Sequence, residues 1–100
     1  MEKSLYYYDP NHGGCLRIVN MISKDMYIIN GAYGSDEKRK GYWAATGKIL
    51  KEFKYKDKVY NMKVDFSMKE EKTHKSVYNA YMKNRVIRWE DGNEWKKLYA

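Results

Sequence analysis

The sequence predicts an all-β domain, a small antiparallel meander or barrel of about 7–8 short strands. Three observations predict it. Aromatic residues make up 16% of the chain, mostly tyrosine, and rings and β-branched side chains suit a pleated, half-buried surface. Runs of alternating apolar and polar residues recur, separated by clusters of Gly, Asn, Asp and Ser. Long stretches of Leu, Ala and Glu, which would favour helices, are absent. One hundred residues without a linker or low-complexity segment make a single domain, residues 1–100, with one modest core.

Residues 4–8 form a short aromatic run that reads as an opening strand. The densest turn cluster follows, Asp9-Pro10-Asn11-His12-Gly13-Gly14, where Pro10 fixes its own φ and the paired glycines permit a sharp reversal. Residues 15–20 read as a strand, with Leu16 and Ile18 on one face and Cys15, Arg17 and Val19 on the other. A turn at Ser23-Lys24-Asp25 leads into a second apolar run over 26–31, and the two runs make a hairpin. Residues 31–41, bounded by glycines and dense in charge, read as an exposed loop.

Residues 42–50 give the clearest alternation in the chain. Trp43, Ala45, Gly47 and Ile49 share one face, and the small residues Ala44, Ala45 and Gly47 imply close approach of a neighbour. The chain stays extended over 51–55, turns at Lys56-Asp57-Lys58 and alternates again over 59–66, with Tyr60, Met62, Val64 and Phe66 inward. Residues 69–82 admit one short helix, with Glu70–His74 and Glu71–Lys75 at i,i+4 spacing, or a loop followed by a strand; the second reading is preferred. The chain closes on two short strands around Asp91-Gly92-Asn93, where glycine supplies the positive φ of a tight turn. Trp89, with Ile87, is expected to pack against the Trp43 strand and the 60–66 strand, and Trp95 to cover a rim.

Lys and Arg number 20 against 13 acidic residues, a net charge of +7. A small domain this basic points to a polyanionic partner, whereas lysines spread along the chain serve equally for solubility. The single cysteine excludes an intramolecular disulfide. No apolar run approaches the roughly 20 residues that span a bilayer, and the N-terminus lacks the apolar core of a signal peptide. The expected setting is intracellular, cytoplasmic or nuclear, without a membrane partner.

Four patches occur together in order: His12-Gly-Gly-Cys-Leu-Arg17, Gly31-Ala-Tyr-Gly-Ser-Asp-Glu37, Val64-Asp-Phe-Ser67 and Trp89-Glu-Asp-Gly-Asn-Glu-Trp95. In these the chain resembles a small uncharacterised β domain of algae and other microbial eukaryotes. Its Lys-, Tyr- and Asn-rich composition is similar to that of proteins from large DNA viruses of amoebae, such as the marseillevirus group. The resemblance implies a compact β domain and, through the viral likeness, a protein of the virion or the virus factory. It brings no catalytic residues. The chain departs from the pattern after Ser67, where Met68-Lys-Glu-Glu-Lys72 replaces a loop bearing proline and glycine.

No residue pattern assembles a catalytic centre, and the expectation is a protein that is not an enzyme and holds no cofactor or metal. His12 and Cys15 could form a nucleophile and base, but they sit in one tight turn; zinc needs three or four ligands, and the only other histidine is His74. Asp36 and Glu37 are adjacent carboxylates on a solvated loop, with no desolvation to raise a pKa. Asp65 reads as an outward strand residue and Asp91 as a turn former. No small molecule is expected, because the tyrosines can fill a barrel of this size.

The interleaving of rings and lysines over 51–60 carries the strongest functional signal. Lys54, Lys56 and Lys58 are placed to meet phosphates, with Phe53, Tyr55 or Tyr60 to stack on a base. Lys38, Arg39 and Lys40 offer a second cationic group, and Arg85 and Arg88 a third. The reading is a basic β domain that binds nucleic acid with little sequence preference. The alternative is a protein-interaction or homodimeric module that uses a strand edge and exposed tyrosines, since Tyr6, Tyr7 and Tyr8 cannot all face one side of a strand.

Overall fold

Alternation makes each strand half-buried; the pairing of strands decides what buries it. The computed structural model describes residues 3–11, 16–34, 39–68 and 76–98. They form β1 (Lys3–Tyr8), β2 (Leu16–Ser23), β3 (Met26–Gly34), β4 (Arg39–Tyr55), β5 (Lys58–Asp65), β6 (Val77–Lys83), β7 (Val86–Trp89) and β8 (Glu94–Lys97). Each strand pairs antiparallel with the next, and β8 returns to β1 through Tyr7↔Lys97 and Tyr8↔Lys96, closing an all-β barrel. Leu98 N–H continues the closure by donating to Tyr6 O at 2.8 Å.

The registers place the alternating apolar residues on the inner surface. Leu5 lies opposite Val19, Val19 opposite Ile29, and Ile29 opposite Ala45. Met62 faces Ala80, Ala80 faces Trp89, and Ile87 faces Trp95. Val19, Ile29, Met62, Val64, Ala80 and Ile87 are fully buried and form the centre of the core. Phe66 joins three rings at one end, with centroids 5.6 Å from Trp43, 5.8 Å from Tyr78 and 5.6 Å from Trp89.

The structure decides one open alternative and corrects three expectations. Val77–Lys83 is strand β6, so the short helix near residues 69–82 does not extend over 77–82; residues 69–75 lie outside the described residues. Cross-strand pairing on both sides of β6 satisfies its backbone in the extended form, which periodicity could not decide. The stretch 31–41 is largely strand, because β3 runs on to Gly34 and β4 begins at Arg39. Trp95 is interior, not a rim cover: it lies opposite Ile87, is buried, and its ring centroid is 4.7 Å from that of Trp89. The strand edge invoked by the alternative reading is taken up by the β1–β8 pairing.

Gly31 has a role that its sequence surroundings hid. It lies opposite Trp43, and a Cβ there would come within 2.6 Å of Trp43 Cε2. The missing side chain leaves room for the indole.

One end of the barrel is closed by polar groups. Arg17, opposite Tyr7, points inward and is buried. Its Nη2 lies 3.2 Å from Asp9 Oδ2, and its guanidinium carbon is 5.2 Å from the Trp43 ring centroid and 5.7 Å from that of Trp95. Asp9 Oδ1 accepts from Asn93 Nδ2 at 3.0 Å and from Asn11 N–H at 3.0 Å, and Asn93 Oδ1 accepts from Asn11 Nδ2 at 2.6 Å. The β7–β8 turn is thereby tied to the β1–β2 connection.

Candidate nucleic-acid interface

Hairpin topology sorts the candidate cations before any side chain is considered. In an antiparallel meander, successive connections alternate between the two ends of the barrel. The β2–β3, β4–β5 and β6–β7 turns share one end, and the β3–β4 connection lies at the other. Lys54, Lys56, Lys58 and Arg85 are therefore brought toward one end, and Arg39 and Lys40, at the start of β4, belong to the opposite end. Lys38 lies outside the described residues, as do His12, Cys15, Asp36, Glu37 and His74.

The cationic feature is the β4–β5 ribbon. Between Lys48 and Lys63 the sequence carries six lysines against two acidic residues, a net +4 of the chain's +7. Lys48, Lys51, Lys54, Lys56, Lys58 and Lys63 are all exposed. Lys48 and Lys63 stand directly opposite each other on the ladder, a like-charge pairing that disfavours the sheet. Beyond them the ladder is interrupted: Leu50, Lys51 and Glu52 oppose Asn61 alone, between the pairs Ile49↔Met62 and Phe53↔Tyr60. Such a bulge bends a ribbon and increases its twist. The Asn61 side chain ties β5 to β6 instead, with Nδ2 donating to Met82 O at 2.9 Å and Oδ1 accepting from Met82 N–H at 2.8 Å.

The tip is a two-residue turn in which both Lys56 (φ 49°) and Asp57 (φ 66°) are left-handed, the backbone of a type I′ hairpin. This places Lys54, Lys56 and Lys58 around the end of the ribbon, with Tyr55 opposite Lys58.

The rings of the ribbon are engaged within the protein. Tyr60 is buried, with ring centroids 6.1 Å from Phe53 and 6.4 Å from Tyr55. The Lys56 ammonium lies 5.4 Å from the Tyr55 ring and that of Lys63 lies 5.5 Å from the Phe53 ring. Tyr55 is half-buried and is not an open platform for a base. Arg88 is likewise committed: it donates to Val59 O at 2.9 Å and lies 5.5 Å from the rings of both Tyr60 and Tyr81. Arg85 stays exposed in the β6–β7 turn.

Local carboxylates are held by neighbours. Tyr81 donates its hydroxyl to Glu52 Oε2 at 2.9 Å, and this bond raises the phenol above its usual range; burial adds to the rise and Arg88 opposes it. Asp65, exposed on the outer face, accepts from Ser67 N–H at 2.8 Å, and this hydrogen bonding lowers its carboxyl below the usual range. Among the described residues, no group of three or more His, Cys, Asp or Glu is placed to hold a metal ion.

Sequence reasoning missed Lys48 and Lys63. Each is an ordinary outward lysine in its own strand, and only the register shows that they are neighbours. In comparisons with known proteins, the chain matches no family model, no curated protein and no solved structure.

Proposed function

We propose that the protein is a non-catalytic basic β-barrel domain that binds nucleic acid with little sequence specificity, through the lysines of its β4–β5 ribbon. The observation that carries this reading is the direct opposition of Lys48 and Lys63 at the base of a ribbon whose tip bears Lys54, Lys56 and Lys58. Opposed like charges cost stability in the free domain, and a phosphate between them removes that cost. The packed rings of Phe53, Tyr55 and Tyr60 leave phosphate contacts to supply the affinity, and phosphate contacts carry no sequence information. The viral likeness fits this role, since a virion or virus factory supplies nucleic acid in quantity.

The test is fluorescence anisotropy with labelled 20-mers of mixed sequence, as single strands and duplexes, titrated over a range of salt. Binding is expected to fall linearly in log–log form with salt. The double variant Lys54→Glu/Lys58→Glu is expected to reduce the slope on duplex DNA by about 2, since each neutralised phosphate contributes about 0.9. No binding to any of the probes at ~50 mM salt would refute the proposal.

A further inference from the structure

The outer surface of the barrel is divided by charge, and the half away from the β4–β5 ribbon is unlike the rest. The registers define its rows. Tyr6 stands opposite Ile18, Ile18 opposite Asn30, and Asn30 opposite Ala44, while Leu98 adjoins Tyr6 through its backbone bond. Ser4, Asn20, Ile28 and Thr46 form the row on one side. On the other side Tyr8 pairs with Leu16, and Tyr42 with Ala32, which is itself buried. None of these outward residues is charged, in a chain of which 33% is charged.

Tyr6, Tyr8, Leu16, Tyr42 and Leu98 are all exposed, and Tyr42 is 78% exposed. Two of the polar residues satisfy each other, Ser4 Oγ donating to Asn20 Oδ1 at 2.6 Å. Among the described residues charge returns at the margins, with Lys96 beside Tyr8, Lys48 beside Met26 and Asp65 beside Thr46.

We infer that this face is the interface of a two-fold homodimer. Three arguments select a second copy as its occupant. Among the described residues, the rows of this face hold no cation for an acidic protein or for a nucleic-acid phosphate. Two copies of a chain with net charge +7 repel wherever their lysines meet, and this uncharged face lets them approach without bringing like charges together. The area is adequate: the five exposed apolar residues present on the order of 500–600 Å² per copy, against roughly 800 Å² per partner in a standard interface, and the half-buried Ile18, Ile28 and Ala44 between them add to it. An isologous contact centred on the Ile18–Asn30 row stacks tyrosine and leucine against their symmetry mates, pairs Asn30 with its own copy and leaves Lys48 and Lys96 at a wet rim.

The test is sedimentation equilibrium of the full chain from about 5 to 200 μM in 0.15 M salt, where self-association of the expected strength is resolved. The wild-type protein is expected to shift from monomer to dimer mass across that range, with a melting temperature that rises with concentration. Tyr42→Lys and Leu16→Lys, both at exposed positions, are each expected to weaken dimerisation at least about tenfold by desolvating a lysine in the interface, while circular dichroism of the monomer stays unchanged. A wild-type monomer at every concentration overturns the inference, as does a dimer that both variants leave intact. Co-flotation of monomer with phosphatidylcholine vesicles, without self-association, also overturns it and assigns the face to a lipid surface.

Discussion

The buried Asp9–Arg17 pair makes a sharp demand on stability. Both side chains are almost wholly buried, at 2% and 3% exposure, and Asp9 is also the acceptor for Asn93 and Asn11. Asp9→Asn keeps the shape and removes the charge, leaving a guanidinium buried without its counter-ion. Breaking one partner of a buried pair costs about 3–5 kcal/mol. The Trp43 and Trp95 rings flanking Arg17 soften that cost by about 1–2 kcal/mol at most, and they do so in the wild type as well. Against a total stability of about 5–15 kcal/mol, the variant should lose a large fraction. Its melting temperature should fall by at least about 12 °C, at about 4 °C or more per kcal/mol for a domain of this size. Urea unfolding followed by tryptophan fluorescence measures the loss directly. Asp9→Asn/Arg17→Met should recover at least about 1 kcal/mol over the single Asp9→Asn change, because an apolar replacement removes the orphaned charge. A loss below about 1 kcal/mol for Asp9→Asn would show that the pair does not hold the barrel end closed.

Two further changes probe the frame around the site. Lys56→Asn/Asp57→Gly installs residues suited to two successive left-handed positions, and should raise stability by about 1 kcal/mol in thermal melts; a fall would mean that the native side chains stabilise the tip more than the backbone strain costs. Gly31→Ala forces a methyl group onto the Trp43 indole and should destabilise by about 1–3 kcal/mol, with loss of near-ultraviolet dichroism as the indole moves; an unchanged spectrum and melting point would show that the ring can step aside freely.

The basic ribbon and the uncharged face meet at β4, where Lys48 borders both. If both proposals hold, each dimer carries two ribbons, and binding to a long nucleic acid gains from effective concentration as well as from contacts. Short probes that reach a single ribbon would not show that gain, so probe length separates the two contributions.

Much of the strand architecture was legible because a period of two is a local property. Trp43, Ala45, Gly47 and Ile49 fall on one face of an extended chain whatever strand lies beside them, and Met62 and Val64 do the same between polar neighbours. The turns at Lys24-Asp25, Lys56-Asp57 and Gly92 were legible for a similar reason, since turn residues act through their own backbone. Residues 77–82 were not decided in this way, because Val77, Tyr78, Tyr81 and Met82 fit a helical stripe as well as a strand, and pairing with β5 and β7 settles the conformation. Arg17 alternated with Leu16 and Ile18 in the sequence, but a charge is not expected to face inward until an inward carboxylate is known.

By itself the sequence determined an all-β chain, the positions of its alternating strands and the excess of positive charge, all of which depend on residue type and local spacing. The tertiary structure decided which lysines are neighbours, which rings are already engaged, and that Tyr6, Ile18, Asn30 and Ala44 form one uncharged row. These are consequences of register and closure: a one-residue slip turns a strand over, and no single strand records which partner it meets.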